Sequence, residues 1–438
     1  MMKSSFLAAL LVLCLVAVAC GSDDGTENTD STVSSSSLAD SGSVTTVSPS
    51  SDSPSSDLSA DVQELKLGYI LPLTGSLAYL GDAMERGATL AVEEINQVGI
   101  QRIDMLAGDS GTNADVANNT ADNHLAEGVQ GIIGAGASAV SLSIIDKITG
   151  VGIPMIAASN TSPAFTTYDD GGLYFRTIPS DVLQSRVIAD LITEDGARRV
   201  AVMYRADAYG KALADASEVS LVDNGLESAG TFALDPEGST FASEVQEVAA
   251  SGADAVILIA FSEGGRIIAE MIEAGIGPNE ITLYVTSGLA TADLSELVNP
   301  DDPSFVQGIR GTRIGESESD EQTFRERFDE FAPGVDDAYA PEAYDAVVIY
   351  ALAALVAGSN RAEDFAAEIN DVTRGGTKCS SYADCAELVM AGEDIDYEGA
   401  AGSLDFIDAG EPSVATFDIL EFDEAGEIVV VSSRTLRG

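Results

Sequence analysis

Short apolar runs alternate with helical periods along most of this chain, and the alternation begins twice; nothing else in the sequence limits the possible folds as tightly. Residues 66–72 form an apolar strand pattern ending at Pro72. A helix follows over about 81–98, with Ala83, Gly87, Leu90, Ala91 and Ile95 near helical spacing. Strand 102–107, helix 113–126, strand 129–133, helix 138–149 and strand 153–157 come next. After Arg176 the series restarts with helix 181–194, strand 200–204, helix 209–224 and strand 230–234. It continues through helix 241–250, strand 255–259, helix 264–274 and strand 282–285. Strands separated by helices of this length pair in parallel, so two series imply two α/β lobes, each with a parallel central sheet. The tail departs from simple succession. It reads as strand 307–312, an apolar helix 341–356, and strands 404–407, 415–422 and 427–432 around the turn Glu424-Ala425-Gly426. Such a tail implies that the chain crosses between the lobes more than once, making a hinge of several segments.

The chain has 438 residues, of which the first 64 are unlike the rest. Lys3 precedes an apolar run of about 14 residues, shorter than the roughly 20 needed to span a bilayer core. With small Ala19 before the cut, residues 1–19 read as a secretory signal peptide. Ala17-Val18-Ala19-Cys20-Gly21 resembles a bacterial lipobox, with Ala17 where Leu is commoner, so Cys20 is the expected lipidation site. Residues 20–64, rich in Ser and Asp, read as a disordered tether that cannot bury enough to offset its ordering entropy. Beyond the leader no window offers 18 consecutive apolar residues, so no spanning helix is expected and the membrane is met only through the lipid anchor.

Charge narrows the partners. Asp and Glu number 72 against 21 Lys and Arg, for a net charge of −51. A surface this acidic repels nucleic acid and anionic lipid. Blocks such as Glu316-Ser-Glu318-Ser-Asp320-Glu321 read as solvated faces. Of four cysteines, Cys14 leaves with the signal and Cys20 carries lipid, which leaves Cys379 and Cys385. In an exported protein this pair points to a disulfide closing a short loop, worth about 2 kcal/mol. A metal site is the alternative, but two cysteines with no histidine nearby cannot complete a tetrahedral shell.

The inventory of reactive groups is thin. The one histidine, His124, lies on a polar helix face and reads as a surface residue. There is no nucleophile elbow, metalloprotease His pair or phosphate loop, so neither an enzyme nor a cofactor is indicated. Gly134-Ala135-Gly136-Ala137-Ser138-Ala139 does follow a strand and open a helix, as dinucleotide fingerprints do. The next strand, however, ends Ala157-Ala158-Ser159-Asn160, without the acid that binds a ribose. What remains is a helix N-terminus that backbone N–H groups and the Ser138 hydroxyl make suitable for a small anion, most simply a carboxylate. Ser159-Asn160-Thr161-Ser162-Pro163 lies at the neighbouring strand end, and its Thr161 and Ser162 read equally as helix caps and as ligand contacts. In the second lobe, Arg205-Ala-Asp207-Ala-Tyr209-Gly210 would present Tyr209 to the cleft.

These segments carry a resemblance. Gly68-Tyr-Ile-Leu-Pro-Leu-Thr74-Gly75, Gly81-Asp82 and Ala91-Val-Glu-Glu-Ile-Asn96 are similar to the opening of the Leu/Ile/Val-binding proteins. So are Ile153-Pro154, Ser159 to Pro163, Phe175-Arg176-Thr177, Pro179-Ser-Asp181, Tyr209-Gly210 and Ala338-Tyr-Ala-Pro-Glu-Ala-Tyr344-Asp345-Ala346. The resemblance implies a type I periplasmic binding protein: two Rossmann-like lobes joined by a three-crossover hinge. It implies an N-terminal lobe of 65–178 plus 313–403 and a C-terminal lobe of 179–312 plus 404–438. It also implies a lipid-anchored, extracytoplasmic monomer that hands a branched-chain amino acid, or a related carboxylate or amide, to an ABC permease. By position, Ser138 and the amides near Ala137 would hold the ligand carboxylate, and Ser159 and Thr161 its ammonium or carboxylate. Tyr209 would close from the second lobe, Phe261 would form an aromatic wall, Leu80 and Tyr79 would line the side-chain pocket, and Ser287 would complete the site. One departure concerns the ammonium. The family places an acid near Val285-Thr286-Ser287-Gly288, and none is there. Glu263 or Asp293 would have to substitute, or the ligand lacks an α-amine. A sensory module with the same fold is the alternative function.

Overall fold

The computed structural model describes residues 64–315 and 324–438. The signal peptide, Cys20, nearly all of the tether and the acidic block at 316–321 lie outside the described residues. The first sheet is built from β1 (Glu64–Ile70), β2 (Arg102–Leu106), β3 (Gly131–Gly134), β4 (Met155–Ala157) and β5 (Tyr174–Arg176). Between them run α1 (Ala78–Val98), α2 (Ala114–Ala126) and α3 (Ser138–Thr149). All pairings are parallel, in the order β2-β1-β3-β4-β5.

The chain then passes through 177–180 into a second series: α4 (Asp181–Asp195), β6 (Arg199–Arg205), α5 (Ala208–Asp223), β7 (Glu227–Leu234), α6 (Ala242–Ser251), β8 (Ala255–Ile259), α7 (Glu263–Glu273), β9 (Thr282–Val285), α8 (Leu294–Val298) and β10 (Arg310–Ile314). From β10 it returns to the first lobe through α9 (Phe324–Phe331), α10 (Ala340–Ala357) and α11 (Ala362–Phe365). A small appendage follows, made of β11 (Thr377–Cys379), α12 (Tyr382–Met390), β12 (Ile395–Gly399) and β13 (Gly402–Ser403). A third passage, 404–413, leads to β14 (Val414–Phe422) and β15 (Ile428–Arg437), which join the second sheet antiparallel. That sheet has the order β15-β14-β10-β9-β8-β6-β7. Two α/β lobes with largely parallel sheets are therefore present, as the alternation implies, and the chain passes between them three times.

The central strands follow from composition. β8 is Ala-Val-Ile-Leu-Ile and every residue is buried, the pattern of a parallel strand covered by helices on both faces. α10 is apolar nearly all round and passes for a membrane span by length and composition, yet most of it is buried in the first lobe. It crosses α1 so closely that a Cβ on Gly87 would lie 2.2 Å from the Ala340 carbonyl oxygen, so only glycine fits there. Its Asp345 is fully buried and accepts hydrogen bonds from the Tyr397 hydroxyl (2.7 Å) and the Ala400 and Ala401 N–H groups (2.8 and 2.9 Å). This carboxylate pins the β12–β13 turn to the core helix. The Cys379–Cys385 disulfide staples the same appendage.

Some expectations differ from the structure. Residues 404–407 form no strand; Asp405 takes φ 39° and only an isolated bridge joins Phe406 to Pro412. β5 was not expected, because three residues ending in Arg show no periodicity. β1 begins at Glu64, inside the expected tether. His124 is buried, not on the surface. Its Nε2 lies 2.9 Å from the Tyr69 carbonyl oxygen, and its ring fills space that Gly68 and Gly108 leave open.

Replacing Asp345 by Ala strands one buried and two half-buried donors, and the expected cost is about 3 kcal/mol. Urea unfolding measures it; a loss below about 1 kcal/mol would show that Asp345 does not carry the appendage.

Candidate functional site

Two loops of the first lobe reach the cleft, both at carboxyl ends of neighbouring strands. β3 turns through Ala135, Gly136 and Ala137 into α3, and no side chain caps that helix. Its leading N–H groups and positive dipole end are therefore presented at the cleft. Ser138 is buried at the first position of α3, its Oγ 3.5 Å from the Ser162 nitrogen. After β4, Ser159 donates to the Gly136 carbonyl at 2.8 Å, and the Asn160 amide donates to the carbonyls of Ala135 (2.7 Å) and Gly136 (3.1 Å). The two loops thus brace one another. Arg176 braces both from behind, donating to the carbonyls of Asn160 (2.9 Å) and Ser162 (3.0 Å) and pairing with Glu411 of the third crossing. Of the pair that read equally as caps or contacts, Ser162 is the cap of a short 3-10 turn, whereas Thr161 lines the cleft.

The second lobe contributes an aromatic wall. Asp207 caps α5 by accepting from the Gly210 N–H at 2.9 Å, which sets Tyr209 in the first turn. Tyr209 stacks on Phe261 with centroids 5.3 Å apart, and the Arg205 guanidinium lies 3.6 Å from the Phe261 centroid. Arg205 is neutralised by Asp207 and Glu263. The Tyr209 hydroxyl shares a 2.9 Å hydrogen bond with the Thr286 hydroxyl. Next to it, Ser287 accepts from the buried Gln184 amide, which also reaches the Thr312 carbonyl (3.1 Å) and hydroxyl (3.0 Å) on β10.

Ala137, Ser138, Ser159, Thr161, Leu80, Tyr209, Phe261 and Ser287 line one narrow cavity between the lobes, together with Leu77, Gly136, Gly288 and Tyr339. Its volume is about 20 Å³, room for roughly one water, so the lobes are closed. Tyr79 is not among the lining residues. Its hydroxyl instead reaches across the cleft to donate to the Gly288 carbonyl, a contact between residues 209 positions apart. It fastens the two lobes where a pocket wall was expected. The Ser262 N–H adds a second contact across the cleft, to the Ser76 carbonyl at 3.4 Å.

Glu263 accepts from Arg205 and from the Phe261 N–H through Oε1 while its Oε2 is buried without a partner among the described residues, and Asp293 is exposed. Asp181, at the start of α4, is buried beside the cavity, next to Thr161, Tyr209 and Tyr339. Both of its oxygens are buried without a hydrogen-bond partner among the described residues. Burial pushes its carboxyl from 3.8 up to about 7, against the opposing influence of the nearby Thr161 hydroxyl and Arg176. A buried acid whose ionisation the fold opposes is a candidate ligand contact. In the sequence, Ser180-Asp181 reads as a helix start, so the acid passes for one that merely complements the helix dipole.

A sequence profile described as periplasmic binding protein matches residues 64–378. The Leu/Ile/Val-binding protein homolog 3 of Brucella melitensis is 26% identical over 381 residues, covering 85% of this chain and 94% of that protein. The chemotactic signal transduction system substrate-binding protein BasB of Halobacterium salinarum is 27% identical over 380 residues, covering 83% of this chain and 88% of that protein. Among solved structures, the leucine binding protein LivK of Thermotoga maritima superposes with a TM-score of 0.72 at 20% identity, covering 84% of this chain and 98% of that one.

The ionisation of Asp181 is open to measurement without a ligand. Because the fold raises its pKa, the stability tied to its protonated form is complete below the unfolded value and is lost as pH rises from about 4 through about 7. The melting temperature of the ligand-free protein is expected to fall over that window more steeply than that of Asp181→Asn. Parallel profiles would show that Asp181 is already ionised in the fold.

Proposed function

This chain belongs to the periplasmic binding protein family, and from that premise we propose that it captures a small amine-bearing carboxylate, most simply a branched-chain amino acid, for an ABC importer. The family is one of extracytoplasmic solute-binding proteins, not of enzymes. The observation that carries the ligand reading is the pairing of an uncapped helix N-terminus with a buried acid beside one closed cleft. The helix end with Ser138 suits a carboxylate, and Asp181 beside Thr161 suits an ammonium. Leu77, Leu80 and Phe261 offer an apolar surface to the side chain. The Leu/Ile/Val-binding homologue supports the same choice of ligand.

The lobes that close are 65–178 with 313–403, and 179–312 with 404–438, turning about the three crossings. Ser138, Ala137, Ser159 and Thr161 take the ligand first; Tyr209, Phe261 and Ser287 arrive with closure, and Tyr79 secures it. A diacylated Cys20 and the tether would keep this trap, working as a monomer, beside its permease. A sensory role is the second reading, favoured by the similarity to a chemotactic substrate-binding protein. Loss of the gene separates the two: the first reading expects loss of ligand uptake, the second loss of chemotaxis with uptake intact.

Leucine, isoleucine or valine is expected to raise the melting temperature, and Ser138→Ala to weaken binding by about 1–3 kcal/mol, or roughly 5- to 150-fold. Calorimetry that finds no amino acid, amide or small organic acid bound would overturn the proposal. Unchanged affinity in Ser138→Ala would remove that residue from the site.

A further inference from the structure

Beside the ligand cleft lies a second, larger cavity of about 490 Å³ that opens to solvent at Asp336, Glu427 and Val430, and Tyr339 lines both. Ser287 also borders both and lies beside the Tyr339 hydroxyl. Tyr339 occupies the position just before α10 with φ 63° and ψ 7°, a left-handed conformation uncommon for a bulky residue. Local bonds impose it: the Asp336 carboxylate accepts from the Ala338 N–H at 2.9 Å, and the Asp337 carbonyl from the Ala340 N–H at 2.9 Å. This backbone sets the ring against both cavities.

The larger cavity differs from the cleft in charge. Among the described residues that line it, Asp336, Asp337, Glu342, Asp418 and Glu427 outnumber Arg313 and Arg325. Arg325 pairs with Asp337 at 2.7 Å, and Arg313 stands 3.8 Å from Asp336. The remaining acids leave the cavity negative, suited to a positively charged group. The cleft has almost no spare volume.

We propose that Tyr339 limits ligand length, its ring closing one side of the ligand site and keeping a longer side chain with a cationic end out of the acidic cavity beside it. The inference rests on reading the cleft as the ligand site. It makes the chain a binder of short side chains because of one ring.

Tyr339→Gly is the informative variant, since glycine adopts this φ without strain and removes the ring; Tyr339→Phe keeps the ring as a control. Calorimetry is run with leucine, lysine and arginine, and with benzoate and 4-(2-aminoethyl)benzoate as a parallel ladder without an α-amine. The wild type and Tyr339→Phe are expected to prefer leucine over lysine and arginine by about 100-fold or more, and Tyr339→Gly to bring them within about 10-fold. A folded Tyr339→Gly that keeps the wild-type ratio overturns the proposal, as does a wild type that already prefers the long ligands. If the wild type binds only the benzoates, the amino-acid reading falls while the same comparison along that ladder decides the role of Tyr339. If it binds neither ladder, both fall.

Discussion

The buried pair of Arg176 and Glu411 is the interaction on which the cleft depends. Arg176 is fully buried at the end of β5, and all five of its N–H donors are engaged, by the carbonyls of Asn160 and Ser162, the Thr166 hydroxyl, and Glu411 twice. Burying such a charge is costly unless every donor is met and a counter-charge is close. Here the requirement is met by segments far apart in sequence: the loop after β4 supplies carbonyls and the third crossing supplies the carboxylate. One side chain therefore fastens a ligand loop, a sheet edge and the hinge. Through Asn160 the bracing extends to the loop before α3, so both loops that face the ligand rest on it.

Asp181 lies close by and is its opposite. Arg176 has every bond it can make, whereas the equally buried Asp181 carboxyl has only the nearby Thr161 hydroxyl and the charge of Arg176 to favour its ionised form. A fold that satisfies one charge so fully does not leave the next unsatisfied without consequence; such exceptions concentrate at functional sites. Asp181 lies beside Thr161 and Tyr209, which line the cavity, and the uncapped helix end at Ser138 suits an anion. Closure, secured by the Tyr79 hydroxyl on the Gly288 carbonyl, removes both from water, where their attraction for a zwitterion is strongest.

The two-lobed architecture was legible because parallel strands buried on both faces read as plain apolar runs: Ala-Val-Ile-Leu-Ile of β8 can hardly be anything else. Where that signal fails, so does the reading. Residues 404–407 are apolar enough for a strand, but Asp405 and the turn at Gly410 break the backbone, and a contact with Glu411 matters more than any ladder. The glycine-rich turn into Ser138 and the cluster at Ser159 to Ser162 stood out because small polar residues at strand ends have few other uses. Tyr79 and His124 were misread, and Asp181 passed over, for one shared reason. Each is defined by what it meets in a distant segment: Gly288 for Tyr79, Tyr69 for His124, Tyr209 and Tyr339 for Asp181. Helical periodicity reports which face is apolar, not which polar group that face will meet.

The central claim is that the site binds a zwitterion by pairing its ammonium with Asp181. Calorimetry of leucine binding near pH 6, repeated in buffers of different ionisation enthalpy, counts the protons exchanged. An Asp181 carboxyl with a pKa of about 7 is mostly protonated there and must ionise to meet an ammonium, so close to one proton should be released, and none in Asp181→Asn. Binding with no proton exchange, or with uptake, would contradict the account.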